Sequence, residues 1–162
     1  MRTIVFAVGL MGAVAGSQYP AYSQQYLQRL AGAVDELNTL VLAFDTSAAE
    51  AGLTREQAVA ELSGTNFLEQ RQGDVQQMFV RYERLNADLM ALRQGGPLDR
   101  LSNIWRLRDA DIARAAWDDY QPGVQLTFDG LIIALIGFLT FSIGFSGLLR
   151  LPRLMFRRRR SI

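Results

Sequence analysis

The chain of 162 residues has no cysteine and no histidine, and all 17 of its basic residues are arginine, so lysine is missing too. These absences exclude disulfides, thiol nucleophiles, Cys/His zinc sites and Ser-His-Asp triads, and they remove the usual general base at neutral pH. Glycine-rich phosphate loops, dinucleotide fingerprints and metalloprotease motifs are absent as well. No stretch alternates with a period of two, which speaks against strands. Acidic residues are missing from both ends of the chain: all 16 lie between Ser17 and Asp129. The length suits one functional unit.

The net charge of +1 conceals an asymmetry. Within residues 17–129, ten arginines face sixteen acidic residues, leaving −6. Arg2 precedes the first apolar stretch, and Arg150, Arg153, Arg157, Arg158, Arg159 and Arg160 follow the last. That last stretch, residues 130–149, reads GLIIALIGFLTFSIGFSGLL without a charge. As a helix it would cover about 30 Å, the thickness of a bilayer's hydrocarbon core. A buried helix of a soluble domain is the bland alternative, but so small a protein offers too little core to cover an all-round apolar helix. The positive-inside rule puts the arginine tail in the cytoplasm, where its expected roles are topology and contact with anionic lipid rather than nucleic-acid binding.

The N-terminal stretch, residues 3–16, has fourteen uncharged residues (TIVFAVGLMGAVAG), short for a span and right for a signal peptide. Ala13-Val14-Ala15 would suit a signal peptidase. Against cleavage, Ser17, Gln18 and Tyr19 continue without charge, Tyr19 and Tyr22 suit a membrane interface, and Arg2 can snorkel, so an uncleaved anchor is favoured. Either way the middle of the chain is expected outside the cytoplasm. The predicted layout is an anchor or signal peptide at 1–22, a periplasmic helical domain at 23–123, a transmembrane helix at 127–150 and a basic cytoplasmic tail at 151–162.

In the middle, Leu27, Leu30, Val34, Leu37, Val41 and Phe44 recur at alternating spacings of three and four from a helix that starts after Pro20. Val75, Met78, Tyr82, Leu85, Leu89 and Leu92 repeat the pattern, which predicts an antiparallel pair of helices. Thr54 with Gln57 is a capping-box pattern opening a short helix over 55–62; Gly64 closes it, and Asn66 with Glu69 repeats the signal. Gly95-Gly96 ends the second seam, and Pro97 opens a third helix expected to run to Tyr120 before Gln121-Pro122-Gly123, although Arg108 interrupts its apolar side of Leu98, Leu101, Trp105 and Ile112. Thr127 would cap the last helix and Asp129 complement its dipole. The fold class expected is all-α: a membrane-anchored helical hairpin or coiled-coil bundle with a C-terminal transmembrane helix and an N-terminal anchor.

Four segments carry a resemblance: GSQYPAYSQQYLQRLAGAVDEL, GLTREQAVAELSGTNFLEQRQGDV, RYERLNADLMAL and DDYQPGVQLTFDG. Together they resemble the bacterial domain-of-unknown-function family numbered 2937 over nearly the whole chain. The resemblance implies a proteobacterial membrane protein and carries no catalytic residue or cofactor.

Candidate chemistry is sparse. The acidic pairs Asp35-Glu36, Asp109 with Asp111, and Asp118-Asp119 read as a solvated face interspersed with arginine rather than a cation site. No metal and no cofactor is expected. Trp105, Trp117 and Tyr120 read as helix packing or membrane-edge anchors. Small residues within the apolar stretches are the stronger signal, because helices in lipid associate where backbones come close. Gly9, Gly12 and Gly16 form one such face; Gly137, Thr140, Gly144 and Gly147 form another. The expected partners are therefore membrane lipids and a protein partner or second copy met through helix packing, with no nucleic acid. Three functions remain open: a non-enzymatic accessory or scaffolding subunit of an inner-membrane complex, which the helix-pairing surfaces favour; a periplasmic sensor signalling to the arginine tail; and an enzyme that no spacing announces.

Overall fold

The computed structural model describes residues 2–120 and 127–157, with side chains up to 149. Helices α1 (Arg2–Glu50), α2 (Arg55–Glu61), α3 (Asn66–Arg93), α4 (Pro97–Ser102), α5 (Ala110–Asp118) and α6 (Phe128–Arg157) follow one another, with a 3-10 turn at Ile104–Arg106. No strand occurs among the described residues. The all-α class read from the periodicity is the fold found.

Two compact units divide the chain. The first gathers Met1–Gln25, Gly96–Ser102 and Ala116–Ile162; the second gathers Tyr26–Gly95 and Asn103–Ala115. In the second unit the seams of α1 and α3 lie against each other, with Leu30, Val34 and Val41 buried on one helix and Leu85, Leu89 and Leu92 on the other. Each such side chain contributes about 1.5–3 kcal/mol by leaving water. Leu27 is buried too, while Leu37, Val75, Met78 and Tyr82 are half-buried. Phe44 meets Phe79 edge-on at 5.4 Å, and the Tyr82 hydroxyl donates to Asn38 Oδ1 at 2.9 Å. Numbers rise along α1 as they fall along α3, so the pair is antiparallel.

The capping box forms as expected: Thr54 accepts from Gln57 N, and the Gln57 side chain accepts from Thr54 N. Gly64 adopts φ +93°, a conformation that favours glycine, and Thr65, one residue before the expected Asn66, caps α3. Thr127 Oγ1 accepts from Gly130 N and opens α6, with Asp129 in its first turn.

Two expectations about helix boundaries change. The N-terminal stretch and the first seam belong to one helix, because α1 passes through Pro20 without ending. Proline withholds the hydrogen bond owed to the Gly16 carbonyl, yet Pro20 is fully buried and its carbonyl accepts from Ser23 Oγ, so packing holds what propensity opposes. The third helix, expected from Pro97 to Tyr120, is broken into α4, the 3-10 turn and α5. The break falls where Arg106 and Arg108 turn toward Asp88 on α3 and Asp109 starts a new helix by accepting from Ile112 N. Helix α6 itself runs on to Arg157. The predicted break at 121–123 lies outside the described residues.

Candidate functional site

In the first unit, α1 and α6 meet through glycine. A Cβ on Gly12 would lie 2.5 Å from the Gly137 carbonyl oxygen, and one on Gly16 would lie 2.7 Å from that of Ile133. A Cβ on Gly137 would strike the Gly12 carbonyl in return, and one on Gly9 would overlap Ser142 Oγ and the Phe138 ring. Since real Cβ atoms do not come this close, only glycine permits the approach. The register is antiparallel, for Gly9, Gly12 and Gly16 step along α1 as their neighbours step backward along α6. The row of α6 used is Ile133, Gly137 and Phe141, spaced by four, so Thr140, Gly144 and Gly147 stay exposed, and around Gly144 and Gly147 no described atom lies within 4 Å of a Cβ.

Both helices are long and apolar enough to cross a membrane, and only 17% and 6% of their most apolar stretches are buried. A core helix of a soluble protein would be mostly buried. Ile4, Phe6, Leu10, Met11 and Val14 on α1 are exposed, as are Leu131, Leu135, Leu139, Phe141, Ile143 and Leu148 on α6. Arg150, Arg153 and Arg157 fall in the last turns of α6, whereas Arg158, Arg159 and Arg160 lie outside the described residues.

At one end of this unit three aromatic rings touch. Trp117 stacks on Tyr120 at 5.8 Å, and Tyr22 meets Trp117 and Tyr120 edge-on at 6.1 and 6.2 Å. Tyr120 Oη donates to Gln18 Oε1, and Arg100 on α4 donates to Gln24 Oε1. Trp105, grouped with Trp117 by sequence, belongs instead to the second unit.

The second unit holds a reciprocal ion-pair clasp that the sequence did not announce. Asp88 on α3 accepts from Arg106 Nη1 at 2.9 Å and from Arg108 Nε at 3.3 Å. Asp109, just before α5, pairs in the other direction with Arg84 at 2.9 Å and Arg81 at 3.4 Å on α3. The Tyr26 hydroxyl accepts from Asp109 N. Only 2% of Asp88 and 5% of Asp109 remain exposed, so Asp109 does not sit on the solvated face expected of it. Asp111, mostly exposed, faces Arg81 at 3.7 Å. Burying a carboxylate is costly unless it is hydrogen-bonded, and here each has two guanidinium partners. One signal was available: Asp88 lies on the apolar side of α3, between Leu85 and Leu92.

Midway along α3, Arg55 hydrogen-bonds Asp45 through both carboxylate oxygens and stands 4.6 Å over the Phe79 ring. That hydrogen bond holds the Asp45 carboxyl below the usual carboxylate range and raises the guanidinium. Glu56 is lowered too, by hydrogen bonds from its own backbone and the Thr54 hydroxyl. Asp35, Glu36, Asp118 and Asp119 are exposed, and among the described residues no three carboxylates gather as a metal site would require.

A family model described as "Protein of unknown function (DUF2937)" matches residues 1–158, and the chain belongs to that family. No curated protein and no solved structure matches it.

Proposed function

Starting from membership of a family to which no activity is attached, we propose that this is a non-enzymatic inner-membrane protein, an accessory or scaffolding subunit of a larger membrane complex. The observation that carries this reading is the unequal use of the small-residue faces. Gly9, Gly12, Gly16 and Gly137 are spent on closing α1 against α6, while Gly144 and Gly147 stay open on the same apolar helix. An open small-residue surface on a span is where a further helix packs closely in lipid. Against catalysis, the two most buried carboxylates are each engaged by two arginines, as structural anchors would be. In this reading the second unit is periplasmic and the C-terminus cytoplasmic, as the arginine distribution favours.

A sensor is the second reading. Its support is covalent: α1 is a single helix from Arg2 to Glu50 that supplies residues to both units.

Purification from native membranes in a gentle detergent, followed by native-gel migration and mass spectrometry, tests the proposal. A stoichiometric partner supports a subunit, and Gly144→Leu should release it. Recovery alone, or as a homo-oligomer only, ends the accessory reading.

A further inference from the structure

We infer that Trp117, with Tyr120 and Tyr22, is a lipid-binding collar that seats the first unit in the headgroup and glycerol zone of a bilayer. The inference rests on the membrane reading above and adds where the membrane ends. Gly12 lies opposite Gly137 and Gly16 opposite Ile133, in antiparallel register. Carried six residues past Gly16, that register brings Tyr22 level with Thr127 and Phe128, where α6 begins. A helix start leaves backbone N–H groups without intrahelical partners, and here a hydroxyl cap and the Asp129 carboxylate stand beside them. Such groups do not lie in hydrocarbon, so this level is a boundary between apolar and polar surroundings.

At this level the three rings touch one another, and Trp117 remains 65% exposed. Phe128, at the same level, is 78% exposed. A tryptophan has a broad apolar face and one N–H, the combination that favours the membrane interface over either water or hydrocarbon. Ring contacts fix Trp117, which lowers the entropy lost on binding. The two long helices of the same unit also expose apolar side chains, among them Val14, Phe128 and Leu131, and this selects lipid as the occupant over a protein groove.

The collar also resolves the shortness of the N-terminal stretch. Fourteen uncharged residues are too few to span, but Ser17 to Tyr22 add no charge. From Thr3 to Tyr22 the helix rises about 29 Å, close to the hydrocarbon thickness. On this geometry the first span ends at Tyr22, not at Gly16.

Fluorescence tests it, because the chain has two tryptophans. The full-length Trp105→Phe variant, reconstituted in vesicles of phosphatidylcholine and phosphatidylglycerol, reports Trp117 alone. Its emission should be blue-shifted and quenched more by a spin label near the lipid headgroup than by one near the chain end. Aqueous acrylamide should quench it less than it quenches Trp105 in the Trp117→Phe variant. If neither lipid label quenches Trp117, the collar is wrong: acrylamide access would show a water-facing ring, and acrylamide exclusion a protein-covered one. Leu139→Trp in a chain lacking both native tryptophans separates the two failures. Quenching there by the deep label with none at Trp117 refutes the collar alone; no quenching at 139 refutes the span, and the collar with it.

Discussion

Gly12 of α1 and Gly137 of α6 meet backbone to backbone, each occupying the space where the other's Cβ would stand. The contact is reciprocal, so neither side can accept even a methyl group without moving a helix. Gly137→Ala is therefore expected to lower the stability of the detergent-solubilised protein by about 1–3 kcal/mol, the usual cost of overpacking. Gly144→Ala, placed in open space, should leave it within about 0.5 kcal/mol. Unfolding followed by circular dichroism distinguishes them, and equal midpoints for the two variants would show that the helices do not cross at these glycines.

The clasp around Asp88 yields a second expectation. Asp88→Asn keeps the shape and removes the charge, leaving Arg106 and Arg108 without a carboxylate. Breaking a fully buried ion pair costs about 3–5 kcal/mol and an exposed one about 0–1. With Asp88 buried and its partners one third to over one half exposed, about 2 kcal/mol is expected. Arg106 is the less exposed partner and hydrogen-bonds closer. A double-mutant cycle of Asp88→Asn with Arg106→Gln should therefore show stronger coupling than one with Arg108→Gln. Coupling of the opposite rank would assign the clasp to Arg108.

How much of this was legible follows a physical division. The seams from Leu27 to Phe44 and from Val75 to Leu92 are local periodicities, and the capping box at Thr54 and Gln57 spans three residues; both can be read along the chain. The family was legible as well, from whole segments such as SQYPAYSQQYLQRL. Which small residues close the hairpin is a property of two helices at once. A heptad reading groups Gly137 with Thr140 and Gly144, whereas the crossing uses Ile133, Gly137 and Phe141. The break between α4 and α5 depends on Asp88, which is distant in sequence, so the proline start at Pro97 suggested one long helix. Pro20 misled in the other direction, because burial outweighs its helix-breaking tendency.

Acid should loosen the corner formed by Asp45, Arg55, Phe79 and Phe44. Asp45 has a lowered pKa in the folded chain because Arg55 donates to it. A lowered carboxylate pKa means that the folded state resists protonation. The stabilisation is therefore complete above the unfolded pKa, near about 4, and is lost as pH falls through the lower folded value. Thermal midpoints of the wild type and Arg55→Gln should differ at pH 6 and converge in acid, once the pH has fallen below the lowered folded-state pKa of Asp45. A difference that persists unchanged in acid would assign the effect of Arg55 to its stacking on Phe79 instead of to its charge pairing.

The same antiparallel register that places Tyr22 level with the start of α6 carries Arg2 to the level of Gly147, about one turn before Arg150 in α6. Both long apolar helices thus carry their flanking arginines toward one end of the hairpin, while Asp129 stands at the other. Each basic residue near an anionic leaflet contributes about 1 kcal/mol of attraction, so on the proposed membrane reading the six arginines after residue 149 are expected to dominate the choice of side. Replacing all six by glutamine should leave the second unit folded, because Arg81, Arg84, Arg106 and Arg108 are untouched, yet produce molecules of mixed orientation. Activities of C-terminal reporter fusions, one active only in the cytoplasm and one only outside it, measure the split. A single unchanged orientation would show that Arg2 and the helices themselves set the topology without the tail.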